Sequence, residues 1–183
     1  MSAQDDLPHR HNDLLFGVRR SVRYHNRRRA FFDSLGKTAT IFSAVAGSAT
    51  VISLLAAALS TKWSIAFAAS VAVLSAINLV LNPAQSARVH HDLAKSFLTL
   101  EKDILATSPD TVTAEKLYVL TARRLDIEAE EPPPLRVLNC ICHNEMVRAM
   151  GLDRSEEVKI KWFQRLAAPL FDLCEHQIGP KSS

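Results

Sequence analysis

Residues 39–81 read ATIFSAVAGSATVISLLAAALSTKWSIAFAASVAVLSAINLVL, and Lys62 is the only charged residue among them. The stretch divides into two apolar runs, 39–59 and 63–81, around Ser60, Thr61 and Lys62. A helix rising ~1.5 Å per residue needs about 20 residues to cross ~30 Å of hydrocarbon, which each run supplies. A charge at the bilayer centre costs roughly 2.5–3.5 kcal/mol on insertion scales, so its absence from both runs carries weight. The gap admits only a tight helical hairpin. Buried core helices of a soluble protein are the competing reading, but runs this long normally carry a polar face. A secretory signal peptide is excluded on layout, because 38 residues precede the first run.

The chain has 183 residues and a net charge of +3 that conceals an asymmetry. Residues 10–37 hold eight Lys or Arg against Asp13 and Asp33; residues 83–183 hold 13 basic and 15 acidic side chains. Basic residues flanking a span stay on the cytoplasmic side. Arg19, Arg20, Arg23, Arg27, Arg28, Arg29 and Lys37 precede the first run, and Arg88 and Lys95 follow the second. Both termini are therefore expected in the cytoplasm, with the arginines also attracting anionic headgroups. That double use makes nucleic acid an unlikely partner. Cys140, Cys142 and Cys174 are odd in number and fall in the cytosolic part, so no disulfide framework is implied.

The expected fold is all-α: a two-helix transmembrane hairpin extended by a cytosolic helical stalk, with a C-terminal helical region. Residues 1–9 read as a disordered tip. A helix is expected over 10–36, where Leu15, Val18, Val22, His25, Arg29 and Phe32 form a heptad-like stripe. Asn82 and Pro83 open another over 83–106, with Val89, Leu93, Phe97, Leu100 and Ile104 on one face. These stripes predict an antiparallel pair. A helical tail follows over 111–183: 111–128, a stiff Pro132-Pro133-Pro134 spacer, 135–150 closed by Gly151, and a last helix capped by Ser155 and kinked at Pro169. Five glycines leave little room for hairpin turns.

The composition of the spans points beyond anchoring. Ser64, Ala68, Ala72 and Ala76 recur every fourth residue of the second, and Ala39, Ser43 and Gly47 do so in the first. Small residues let helix backbones approach in lipid, where association depends on packing, so these positions are assigned to hairpin closure and homo-oligomerisation. Ser75, Asn78 and Asn82 add a polar line, read either as interhelical hydrogen bonding or as a pore mouth.

A basic helix carrying Val22-Arg23-Tyr24-His25-Asn26-Arg27-Arg28, two small-residue spans with a minimal loop, and a long following helix resemble the SLATT family. These are bacterial two-transmembrane proteins of conflict systems, and the resemblance covers about residues 10–110. It implies an inner-membrane, pore-forming effector of antiviral defence, triggered by a cytosolic sensor or a nucleotide second messenger. The alternative is a passive anchor or scaffold that recruits a partner through residues 111–183.

The tail offers little catalytic chemistry. Cys140 and His143 share a helix face, and Cys174 and His176 could add ligands, but a C-x-C pair on a helix points its thiols about 200° apart. The expectation is that the cysteines pack as small hydrophobes, with no metal site. No phosphate loop, nucleophile elbow or paired-carboxylate signature is present, so neither an enzyme nor a cofactor is expected. Trp162, Phe163, Leu166, Leu170, Phe171 and Cys174 gather on one side of the last helix. Docking on residues 135–150 and on the stalk helices is expected; lying on an anionic membrane surface is the alternative.

Overall fold

Helix-compatible periodicity along most of the chain becomes six α-helices among the described residues: α1 (Leu7–Ala46), α2 (Thr61–Leu81), α3 (Pro83–Leu105), α4 (Ala114–Ala129), α5 (Arg136–Ala149) and α6 (Trp162–Ala167). The structure is a computed structural model describing residues 6–46, 48, 51–52, 56–57 and 61–172, with the backbone alone for Ala46, Thr61, Ser64, Phe67 and Ile77. A 3₁₀ turn, Arg154–Glu156, precedes α6. No strand occurs among the described residues beyond a lone bridge residue at Val158. The chain is all-α.

Three boundaries differ from expectation. No break separates the 10–36 helix from the first apolar run, because α1 continues for 40 residues. Within it, the Thr40 hydroxyl donates to the Gly36 carbonyl at 2.9 Å, closing the turn that the glycine would loosen. The helix expected from Thr111 starts at Ala114, where the Thr113 hydroxyl accepts from Lys116 N–H. The last helix is not a kinked segment capped by Ser155. Asp153 caps the 3₁₀ turn instead, and α6 spans six residues that end before Pro169. Proline lacks the N–H to carry a helix onward, so here it stops one. Gly151 behaves as expected: at φ +68° it lets Leu152 N–H reach the Val147 carbonyl and its own N–H reach Arg148, a Schellman closure.

The chain divides into two compact units, one of Met1–Arg28 with His90–Ser183 and one of Arg29–Val89. Leu117 and Leu120 of α4, and Val137, Leu138 and Cys142 of α5, pack with the first part of α1 in the first of these. In the first unit, the α1 and α3 stripes run antiparallel. His11 Nε2 lies 3.2 Å from the Ile104 carbonyl toward one end, and His25 Nδ1 lies 2.9 Å from His90 Nδ1 toward the other. Between them Leu14, Leu15, Val18, Val22, Phe97, Leu100 and Ile104 are buried, joined by Val112, Leu117 and Leu120. Leu93 is buried as well, whereas Val89, assigned to the same stripe, is exposed. A second cluster of Tyr24, Val137, Leu138, Cys142 and Ala168 seats α5 on the other side of α1.

Long-range polar contacts fix α5. The Asp172 carboxylate accepts from the backbone N–H of Arg136 (2.7 Å) and Val137 (2.9 Å), capping the helix from 36 and 35 residues away. The buried Asn144 amide exchanges two hydrogen bonds with the Val158 backbone, at 2.7 and 2.8 Å. Gly17 leaves room where Arg124 crosses α1: a Cβ there would sit 2.7 Å from the guanidinium, which would have to shift.

The second unit has a different character. Its described large apolar side chains face outward, including Ile41, Val45, Ile65, Val73, Leu79 and Val80. One helical stretch, within Ala68–Leu105, is long and apolar enough by length and composition to cross a membrane, and only 6% of its apolar window is buried. A soluble core helix would be mostly covered.

Phe97 is fully buried and stacks on His25 at 5.6 Å between ring centroids. Phe97→Ala should destabilise the first unit by about 3–5 kcal/mol, the usual cost of an aromatic-sized cavity. Leu98→Ala, half-exposed on the same helix, should stay within ~0.5 kcal/mol. Denaturant titration of the detergent-solubilised chain, followed by circular dichroism, measures both.

Candidate functional site

In the second unit, α1 turns Phe32 and Asp33, Gly36 and Lys37, and Thr40 and Ile41 to one face by their four-residue spacing. Asn78, Asn82, Pro83 and Ala84 complete a cleft of about 520 Å³. Asn82 sits at φ +39°, a left-handed conformation that asparagine tolerates better than most residues. It ends α2, its N–H reaching the Asn78 carbonyl at 3.2 Å, and starts α3, its carbonyl accepting from Ser86 N–H at 3.1 Å. Pro83 then occupies the first position of α3, where its missing N–H costs nothing. The result is an apolar-walled recess holding a lysine, an aspartate and two carboxamides.

The polar line expected along the second span is thus divided. Asn78 and Asn82 face the cleft, while Ser75 is exposed and does not line it. Asn82 also serves as a helix boundary. Of the small residues, Ser43, Ala68, Ala72 and Ala76 are all exposed, so nothing in the described chain covers them. Gly47 lies outside the described residues, and the side chain of Ser64 is not described.

The basic flank is not a uniform cationic surface. Arg19 donates to Glu101 at 2.7 Å, Arg27 pairs with Glu145, and Arg28 donates to the Pro169 carbonyl at 2.7 Å. Arg20 is partly buried beside Arg124 and Glu128; burial first, then Arg124, lowers its pKa. Arg29 lies 3.6 Å from Asp33 and Lys37 lines the cleft, leaving Arg23 exposed in the row. Arginine's planar fork and permanent charge make it a good strut between segments, and Arg19, Arg27 and Arg28 are used so.

The densest chemistry lies inside the first unit. His25 is buried between two partners: its Nε2–H donates to Glu131 at 3.1 Å, and its Nδ1 faces His90 Nδ1 at 2.9 Å. With Nε2–H committed to a carboxylate, a neutral His25 ring offers Nδ1 as acceptor and His90 donates. Tyr24 meets both rings edge-on and accepts from Leu135 N–H at 2.9 Å. Burial raises the Tyr24 phenol above its ordinary range. His90 is held at about 4, by burial first, then by His25 and Arg28. Beside this chain of rings is a cavity of about 290 Å³ lined by Arg20, Ser21, Tyr24, Glu128, Glu131, Pro134 and Asn139. Sequence reading placed His25 on the core stripe but gave its partners no role. Neither Glu131 nor His90 carries a periodic signal that marks it as a partner of His25.

The suggestive Cys140-Ile141-Cys142-His143 stretch resolves into packing. Cys142 is fully buried in the α5 cluster, and burial pushes its thiol up to about 11; Cys140 is half-buried and raised for the same reason. A thiol held protonated is a poor nucleophile and a poor metal ligand. His143 turns to the Glu156 carbonyl at 3.0 Å and edges against Phe16. Cys174 and His176 lie outside the described residues.

Comparison with known proteins adds no assignment: no protein-family model, curated protein or solved structure matches this chain.

The depressed His90 pKa has a testable sign. Unfolded, the imidazole titrates near 6.5; folded, near 4, so the unfolded chain binds the extra proton between these values. Stability of the first unit should be complete above pH 6.5 and decline as pH falls toward 4. Denaturation midpoints measured across that window should fall more steeply for the parent than for His90→Asn. Equal slopes would show that another group carries the acid sensitivity.

Proposed function

We propose that the protein is a two-pass membrane effector of SLATT type, which oligomerises through its spans and permeabilises the bacterial inner membrane when a cytosolic partner or messenger acts on the helical tail. The observation that carries this reading is the inverted character of the second unit. Its large apolar side chains face outward, with Ile65, Leu79 and Val80 at 64, 81 and 81% exposure, over a stretch whose only charge is Lys62. In water such a surface is unfavourable by ~25 cal/mol per Å² of apolar area. In hydrocarbon it is the expected surface.

The exposed Ala68, Ala72 and Ala76 leave a close-packing face for a second copy. The cleft with Asn78, Asn82, Lys37 and Asp33 supplies polar groups beside that apolar surface. Polar groups at such a level favour water or a neighbouring helix over lipid. A basic stretch ahead of the first run and a single lysine between the runs favour both termini in the cytoplasm.

Topology is tested with reporters at both ends and an impermeant maleimide on Thr61→Cys. Both reporters should read cytoplasm, and the label should react only from outside. Recovery of the intact chain in the soluble fraction without detergent would overturn the membrane reading.

Effector action is tested by induced expression with dye influx and membrane potential as readouts. The parent should depolarise cells, and Ala68→Leu with Ala72→Leu should keep normal membrane levels while losing crosslinked oligomer and most dye entry. Interhelical terms in membranes are of order ~1 kcal/mol each, so two misfits are enough to shift assembly several-fold. Leu at Ile65 and Val73 should change little. An inserted, assembled protein that leaves the membrane intact even with its native neighbours co-expressed would support the anchor or scaffold instead.

A further inference from the structure

The first unit carries an apolar surface that its own packing leaves uncovered. In α6 and the residues after it, Trp162, Leu166, Leu170 and Phe171 are 77, 76, 59 and 52% exposed. Trp162 and Leu166, four apart, share a face of α6, and Leu170 and Phe171 follow in the turn after its end, exposed as well. The opposite side is occupied. Gln164 and Ala168 are buried, the Pro169 carbonyl accepts from Arg28, and the Asp172 carboxylate is taken up by the α5 amides of Arg136 and Val137. The fold thus grips this segment from within and fixes which side faces out.

The charged side chains within residues 159–171, Lys159, Lys161 and Arg165, are all basic and exposed, with the Lys161 ammonium 5.8 Å from the Phe163 ring centroid. The flanking acids are engaged within the unit, Asp172 with α5 and Glu157 with Arg148. A tryptophan and aliphatic side chains rimmed by lysine and arginine form the composition of segments that lie in the interface of an anionic bilayer. A protein partner would need matching acidic groups around an apolar centre; anionic headgroups over acyl chains supply both at once.

We propose that residues 159–171 form an interfacial foot that docks on an anionic lipid surface, with Trp162, Leu166, Leu170 and Phe171 sunk to the headgroup–acyl boundary and Lys161 and Arg165 at the lipid phosphates. The foot rests on the membrane reading of the second unit but is separable from it by experiment, because the chain has two tryptophans, Trp63 and Trp162. Trp63 is 68% exposed, so Trp63→Phe removes little packing and leaves Trp162 as sole reporter. Trp162→Phe leaves Trp63 to report on the span.

Both full-length variants are reconstituted in nanodiscs of phosphatidylcholine, with and without phosphatidylglycerol, containing acyl-brominated lipid. Trp162 emission should shift to the blue and be quenched at least twofold in the anionic discs, and clearly less in neutral ones. Changing Lys159, Lys161 and Arg165 to Gln should at least halve that quenching. Trp63 quenched while Trp162 stays unquenched overturns the foot and leaves the span standing. Trp162 quenched while Trp63 is not supports the foot and overturns the span. Equal Trp162 quenching in both lipids overturns the anionic assignment, and a blue shift without bromine quenching overturns it in favour of a protein occupant.

Discussion

The antiparallel seam between the first part of α1 and the later part of α3 is the interaction on which the first unit depends. Val18, Phe97, Leu100 and Ile104 are fully buried along it, and the seam is closed by a histidine toward each end, His11 against the Ile104 carbonyl and His25 against His90. A two-helix seam alone buries too little to hold, since most helical stability comes from tertiary packing of an apolar face. The structure supplies the rest from the tail. Leu117 and Leu120 of α4 cover one side of the seam, and Val137, Leu138 and Cys142 of α5 pack on Tyr24 on the other. The segment that leads from α4 to α5 is tied to the same helix through Glu131 to His25 and Leu135 to Tyr24.

Several polar groups in this core meet a desolvation cost with a partner. A buried imidazole without one would cost a lost hydrogen bond or more, and His25 is met on both nitrogens. Burial first, then the neighbouring His25 and Arg28, drives the His90 pKa down. The arginines ahead of the apolar run obey the same economy. Those that bridge to Glu101, Glu145 and the Pro169 carbonyl act as struts, and their stems cover apolar surface between helices.

The second unit has a different character. Burial that organises the first unit is largely missing from its described residues, and the left-handed Asn82 ahead of Pro83 opens the recess that holds Asn78 and Lys37. Gly36 approaches the Pro83 ring from α1, with room for ordinary van der Waals contact at 3.5 Å from where a Cβ would stand.

Local periodicity and punctuation determined the all-α class, the α1 and α3 core faces from Leu15 to Val22 and from Leu93 to Ile104, the Asn82–Pro83 boundary and the Gly151 cap. Each of these is decided within about two helical turns, where spacing and a single turn residue carry the information. Only the tertiary structure decided that α4 and α5 pack on the first part of α1, that Asp172 caps α5, that Asn144 pairs with Val158, and that Glu131 and His90 bracket His25. These partners lie between 14 and 106 residues apart, and a charged or amide side chain has no periodic signature to announce them. The same reason explains the arginine row. Its composition reads as a flank, but whether a guanidinium faces solvent or a carbonyl depends on which distant helix is packed beside it.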